Sequence, residues 1–208
     1  MGERRGSTSV REVAKTIGLA VVIALGVRVG IAQAYQVDGP SMEPSLVTGE
    51  RLFVLRAAYG LSVPFRTEAL AVWAAPAPGD VVVVESPADG LDLVKRVIGV
   101  PGDVVEVRGG VVFRNGAPLA QRDLGPCDPA RHGRVDAGCH AYRETLGERS
   151  WTTSRSVVGG GLDEDVAPVR VPAGHVYVMG DHRDRSNDSR YFGPVPLSHL
   201  RGRVLFVD

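Results

Sequence analysis

Apolar residues along most of the chain fall in short runs of strand length that are bounded by glycine and proline. After residue 35 no long segment keeps the 3.6-residue period of an amphipathic helix. A Gly109-Gly110 pair between two runs predicts a tight hairpin. The pattern therefore predicts a mainly β body of many short antiparallel strands, at Glu50 to Arg56, Asp80 to Glu85, Leu93 to Val100, Val104 to Arg108, Val111 to Arg114, Ala167 to Val171, Val176 to Met179 and Arg203 to Val207.

The first 35 residues have a different pattern. Thr16 to Val27 carries no charge, Arg28 interrupts it, and apolar residues continue to Tyr35. A spanning helix needs about 20 mostly apolar residues, and an arginine near one end can reach the headgroups. We therefore expect a transmembrane anchor over residues 10–35. Basic residues concentrate before it, which predicts a cytoplasmic tail over residues 1–9 and a body outside the cytoplasm.

Two alternatives compete with the anchor. The segment could be a cleavable signal peptide with small residues at Ile31-Ala32-Gln33-Ala34, or a buried core helix. We favour the anchor over the signal peptide because cleavage there would fall only a few residues before Ser41, a candidate nucleophile discussed below. Either the anchor or the signal peptide places the body outside the cytoplasm.

The stretch from Gln121 to Asp165 is polar and contains both cysteines, Cys127 and Cys139. We interpret it as an inserted β subdomain or ordered loop between two parts of the body, residues 36–120 and 166–208. Cysteines outside the cytoplasm are more often paired than free, so the sequence predicts a disulfide. A metal site using His132 and His140 is the alternative, although the spacing fits no familiar zinc pattern.

Charge and composition narrow the function classes. The chain has 24 basic and 24 acidic side chains, and aromatic residues make up 6% of it. Nucleic-acid binders have a basic excess or aromatic stacking platforms, so neither value favours one. Gly159-Gly160-Gly161 lacks the Lys-Ser/Thr of a phosphate loop, and we expect no cofactor.

Four stretches carry possible chemistry: Val37 to Leu46 with Ser41 between Pro40 and Pro44, Gly79 to Pro87, Lys95 to Asp103, and Gly180 to Arg190. Prolines stiffen the backbone around Ser41, as a nucleophile requires. Each stretch also has an ordinary structural interpretation: a proline-rich turn, a strand, a solvated lysine beside a strand, and an exposed charged loop.

Taken together, these stretches closely resemble type I signal peptidases, which are membrane-bound Ser/Lys proteases. Ser41-Met42-Glu43-Pro44 meets the pattern around the nucleophile. A second pattern is met by Lys95-Arg96, Gly99 and Pro101-Gly102-Asp103. A third pattern is met by Gly180-Asp181, Ser186 and Asp188-Ser189-Arg190. The resemblance covers the chain except Gln121 to Asp165 and makes 36–120 with 166–208 the catalytic domain.

The resemblance implies a role for each matched residue. Ser41 is the nucleophile and Lys95 the general base, which must lose its proton through desolvation. Ser186 is expected to hydrogen-bond Lys95, and Asp181, Asp188 and Arg190 to hold the site through ion pairs. The Ser41 N–H is the expected oxyanion donor, while Gly39 stands where some members have a serine that supplies a second one. Residues adjacent to the pair are the expected walls of the substrate pockets: Val37, Met42, Leu93 and Val94.

The implied substrates are secreted preproteins with small residues, typically alanine, at the first and third positions before the cut. The implied partners are these signal peptides, membrane lipid and the secretion translocon, and the implied location is the bacterial cytoplasmic membrane, with a single span. Three alternatives remain: a specialised processing peptidase for conjugative transfer or pilin maturation, a non-catalytic membrane-anchored assembly factor, and a cytoplasmic autoprotease fused to a DNA-binding region. The anchor and the neutral charge argue against the last.

Overall fold

Strands make up most of the structure. The computed structural model describes residues 11–19, 32–61, 71–132, 138–156 and 165–207 of the chain. Its strands are β1 (Ala32–Gln36), β2 (Arg51–Leu55), β3 (Gly60–Leu61), β4 (Ala71–Val72), β5 (Val81–Glu85), β6 (Asp92–Gly99), β7 (Val104–Arg108), β8 (Val111–Arg114), β9 (Ala117–Pro118), β10 (Ala120–Pro126), β11 (Cys139–Leu146), β12 (Arg149–Ser156), β13 (Val166–Arg170), β14 (His175–Met179), β15 (Val195–Pro196) and β16 (Leu200–Val207). Its helices are α1 (11–19) and α2 (Ser189–Phe192), with short 3-10 helices at Arg56–Ala58, Pro129–Arg131, Arg183–Arg185 and Leu197–His199.

The strands form four antiparallel sheets. The largest has the order β1-β2-β16-β5-β6-β14-β15, and the smaller ones are β13-β7-β8-β9, β10-β11-β12 and β3-β4. Every pairing between these strands is antiparallel. The predicted mainly β fold is therefore confirmed, and each predicted strand overlaps an observed one.

Strand β5 shows why the largest sheet forms the centre of the fold. Val82, Val83 and Val84 are consecutive and fully buried. A strand with one solvent face would alternate buried and exposed residues, so three in a row require cover on both faces. β5 lies between β16 and β6 and pairs Val82 with Lys95 of β6.

The predicted hairpin at Gly109-Gly110 connects β7 and β8. Both glycines have positive φ, 53° and 73°. Two consecutive residues with positive φ are what a type I′ turn requires, and glycine adopts them without steric cost.

The inserted stretch contributes more to the core than the sequence indicated. Its sheet begins at Ala120, and its strand β12 places Trp151 in the same apolar cluster as Ile98, Tyr177 and Met179. The expectation of a polar excursion from the core is thus wrong for β12. A lone tryptophan in a polar stretch gave no periodic signal, so its burial depends on tertiary packing.

The N-terminal prediction falls only partly on described residues. Residues 11–19 are helical and exposed, whereas 1–10, which include the predicted tail at 1–9, and 20–31 lie outside the described residues. Ala32–Gln36 is strand β1, paired with β2, so the predicted anchor extends too far at its C-terminal end. Among the residues that the structure describes, no helix has both the length and the apolar character needed to cross a membrane.

Candidate active site

Ser41 and Lys95, 54 positions apart in the sequence, meet in the structure. Ser41 lies in a turn that follows β1, and Lys95 lies on β6 in the largest sheet. Nζ of Lys95 donates to Oγ of Ser41 over 2.8 Å and to the carbonyl of Val94 over 2.9 Å. The distance from Nζ to Oγ allows direct proton transfer between the two side chains.

Lys95 is 2% exposed, and its Nζ hydrogen bonds go to a hydroxyl and a backbone carbonyl and not to a carboxylate. Burial lowers the pKa of Lys95 to about 8 because desolvation disfavours the charged ammonium, while the negative charges of Asp188 and Asp181 act in the opposite direction. A lysine with a pKa of about 8 is about one-tenth neutral at pH 7, far more than an unperturbed lysine. The site therefore supplies a base near neutral pH.

The segment that follows β14 holds the backbone of Ser41 in place. The N–H of His182 donates to the carbonyl of Ser41 over 3.1 Å. A Cβ at Gly180 would overlap that same carbonyl oxygen and the Ser186 side chain. Only glycine lets the two segments approach this closely, so Gly180 positions Ser41.

The expected hydrogen bond between Ser186 and Lys95 is not present. Ser186 is fully buried, and its Oγ has no hydrogen-bond partner within the described ranges. The Ser186 side chain instead lies against Gly180. Ser186 directly follows the 3-10 helix Arg183–Arg185, which the sequence did not predict.

Asp181 and Asp188 form ion pairs, as expected, but Asp181 has a partner that the sequence did not assign. Arg96 binds Asp181 with two hydrogen bonds, from Nε over 2.8 Å and from Nη2 over 2.6 Å. Asp188 binds Arg190 and also accepts the Gly180 N–H over 2.9 Å. These pairs fix the segment that holds Ser41, because a buried carboxylate with several donors has little freedom to move.

The residues expected to contact substrate line one cavity of about 80 Å³ beside the pair. Ser41 and Lys95 lie on its wall with the four expected residues, Val37, Met42, Leu93 and Val94, and with Gly39. Gly39 has φ of 101°, which other residues rarely adopt, so its turn depends on glycine.

Comparison with known proteins decides the family. The family model described as "Signal peptidase, peptidase S26" matches residues 10–207.

The chain belongs to the signal peptidase family, peptidase S26.

Individual members of the family cover most of the chain. A signal peptidase I of Bacillus licheniformis is 33% identical over 96% of this chain and 88% of its own length. A signal peptidase I of Pseudomonas fluorescens is 32% identical over 94% of this chain and 71% of its own. A crystal structure of a signal peptidase I from Enterococcus faecalis is 30% identical, covers 64% of this chain and 97% of its own, and has a TM-score of 0.39.

The inserted sheet connects to the segments around Ser41 and Asp181 through contacts that the sequence did not indicate. Ser154 on β12 donates from Oγ to the carbonyl of Glu43 and from its N–H to the carbonyl of Asp181. Arg183 binds Glu144 on β11, and both side chains are buried. Contacts between residues so far apart in the sequence leave no local pattern. The sequence therefore indicated these contacts only by placing Arg183 and Glu43 inside the matched motifs.

Cys127 and Cys139 are joined in a disulfide, as predicted. Of the two histidines considered as metal ligands, His132 lies beside the sulfurs. His140 instead has its Nδ1 3.5 Å from the carboxylate of Asp123.

Proposed function

We propose that the protein is a membrane-bound serine endopeptidase that removes N-terminal signal peptides from secreted preproteins. The observation that carries this proposal is the buried Lys95 whose Nζ lies 2.8 Å from Oγ of Ser41. The family membership supplies the class of substrate.

The contacts support different chemical roles for Ser41 and Lys95. Neutral Lys95 has a lone pair that takes the Ser41 proton as Oγ attacks the scissile carbonyl. The resulting ammonium then gives the proton to the leaving amine, and a water molecule later hydrolyses the acyl-enzyme. The Ser41 N–H is the proposed oxyanion donor because it makes no backbone hydrogen bond to the described part of the chain.

The cavity supports a preference for small side chains. A volume of about 80 Å³ with apolar walls at Val37 and Met42 suits alanine before the cut and excludes large residues. An extended substrate places alternate side chains on the same side, so the first and third residues before the cut face the same wall. This gives the Ala-X-Ala preference in physical terms.

The position of β1 supports a site close to the membrane. Tyr35 of β1 lines the cavity, and the uncharged run Thr16 to Val27 ends only eight positions before it, 35 − 27. In this proposal the run crosses the bilayer once with the N-terminus in the cytoplasm, and lipid and the secretion translocon are its neighbours. Protease added to right-side-out spheroplasts should digest the C-terminal body, and full protection of residues 127–208 would reverse the orientation.

The experiment that tests the activity is cleavage of a panel of purified preproteins in detergent. We expect cleavage after Ala-X-Ala, and loss of cleavage when the residue before the cut is changed to a large one. Ser41→Ala protein from the same preparation is the control for contaminating proteases. Cleavage of a single unrelated precursor, with none of the panel cut, would favour the specialised processing peptidase instead.

A further inference from the structure

A buried histidine beside the disulfide has a nitrogen without a partner. His132 is 2% exposed, and its Nε2 makes no hydrogen bond within the described ranges. Its Nδ1 lies 2.8 Å from the carbonyl of Asp128, which fixes the ring and places the proton on Nδ1. The Nε2 lone pair is then left free, which is the arrangement found when a histidine binds a metal through Nε2.

The sulfur atoms of the disulfide lie next to this ring. One ring nitrogen of His132 and the sulfurs of Cys127 and Cys139 are all within 4.8 Å of one another. Both cysteines are 5% exposed. Two thiolates and one imidazole are a ligand set that favours Zn²⁺, whose tetrahedral site a water molecule would complete.

A cavity of about 370 Å³ lies beside this cluster. His132 lines it together with Pro126 and Ala141, which lie next to Cys127 and two residues from Cys139. Asp128, whose carbonyl holds the ring, lines the same cavity. The cavity therefore brings open space next to the cluster through the His132 side chain.

We propose that Cys127, Cys139 and His132 form a zinc site that exists only when the disulfide is reduced. An external dithiol would reduce it: one thiolate attacks a sulfur to give a mixed disulfide, and the second thiol releases the protein cysteine. The dithiol becomes a disulfide and gives two electrons and two protons to the cysteines. Zn²⁺ then binds as both thiols lose their protons. Oxidation closes the disulfide and removes the two sulfur ligands.

The test measures zinc binding by the full-length protein before and after reduction with a phosphine, using a chromophoric chelator as competitor. We expect one equivalent of Zn²⁺ per reduced chain and none per oxidised chain. His132→Ala should weaken binding to the reduced protein by at least about ten-fold. His140→Ala is the matched control and should change the affinity by less than about two-fold, because His140 lies outside the cluster. Equal binding by oxidised and reduced protein, or no effect of His132→Ala, would overturn the site.

A second measurement needs no substitution. Co²⁺ added to the reduced protein should give thiolate-to-cobalt charge-transfer absorption, and X-ray absorption at the zinc edge should show two sulfur ligands and one imidazole. Circular dichroism of the same samples establishes that the reduced protein is folded. A folded, reduced protein without the charge-transfer band would refute the proposal, whatever the variants do.

Discussion

Lys95 and Arg96 are neighbours on β6 and both are buried, but only Arg96 has a carboxylate bound directly to its charged group. Adjacent side chains on a strand point to opposite faces of the sheet. Lys95 faces Ser41 and has a lowered pKa of about 8. Arg96 lies over the ring of Trp151 at 5.0 Å and binds Asp181 with two hydrogen bonds. Burial lowers the pKa of Arg96, but the charge and hydrogen bonds of Asp181, together with the charges of Glu144 and Asp80, outweigh burial, so the pKa of Arg96 is raised.

The comparison shows how one strand supplies both chemistry and support. A buried ammonium without a directly bound carboxylate loses its proton easily and can act as a base. A buried guanidinium with a bidentate carboxylate keeps its charge and fixes the backbone that it contacts. We therefore expect substitution of Lys95 to change mainly the rate of cleavage, and substitution of Arg96 to change mainly the stability of the fold.

Exchanging the two cations should have the largest effect. Lys95→Arg should reduce kcat/KM by at least about 10⁴-fold because a guanidinium does not deprotonate, and Ser41→Ala should do the same. Arg96→Lys is the matched control: an ammonium can still pair with Asp181, so cleavage should remain measurable. Near-normal turnover by a folded Lys95→Arg protein would contradict the Ser/Lys mechanism.

Removing the charge of Asp181 should have the next largest effect. Asp181→Asn leaves Arg96 buried without its directly bound carboxylate, which should lower the free energy of unfolding by about 3–5 kcal/mol. Denaturant titration measures it. Glu106→Gln breaks an ion pair with the exposed Arg108 and should change stability by less than about 1 kcal/mol. If both variants lost the same amount, the buried pair would not be the support that we infer.

A methyl group at Gly180 should have a smaller effect on the rate. Gly180→Ala forces the Ser41 carbonyl or the Ser186 side chain to move, and misplacement of a nucleophile by about 1 Å can cost about 10²-fold. We expect that loss in kcat, with a smaller change in KM. Gly18→Ala is the control because nothing lies within 4 Å of its added Cβ. Equal rates for both variants would show that Gly180 does not position Ser41.

Much of the fold was predictable because its strands carry a local signal. β5 is a run of valines, and the Gly109-Gly110 turn gives a φ pattern that few other residues allow. Strands β10, β11 and β12 were not predicted individually, since polar residues alternate there with few apolar ones. Short edge strands such as β1 depend on pairing with β2, which no local pattern reports.

The candidate catalytic pair could be predicted from the sequence only because the motifs resemble a family. The apolar residues on both sides of Lys95 are consistent with its burial, but nothing local indicates that its Nζ reaches Ser41. The partner of Asp181 was missed because Arg96 is 85 positions away, 181 − 96. The predicted hydrogen bond between Ser186 and Lys95 is absent, and the 3-10 helix that precedes Ser186 has no apolar period by which the sequence could have predicted it.

The smallest of these effects is the pH dependence that follows from Lys95. The pKa of Lys95 is lowered from 10.5 to about 8, so the fraction of Lys95 that is neutral increases as pH rises. Below pH 8, kcat/KM should rise about ten-fold per pH unit, and above pH 8 it should level off.

The free energy of unfolding should also increase with pH. Between about pH 8 and about pH 10.5 the unfolded chain binds the proton that folded Lys95 has lost, so the Lys95 contribution to stability increases with pH. Below about pH 8 both states bind it, and this contribution is constant. The measurement is kcat/KM on a signal-peptide substrate from ~pH 6 to ~pH 10, with unfolding followed over the same range. Arg96→Lys is the control again, since its altered face lies away from Ser41, and its midpoint should stay near pH 8. A rate that is flat from pH 6 to pH 8 would mean that Lys95 is already neutral and that its surroundings lower the pKa further than the burial described above.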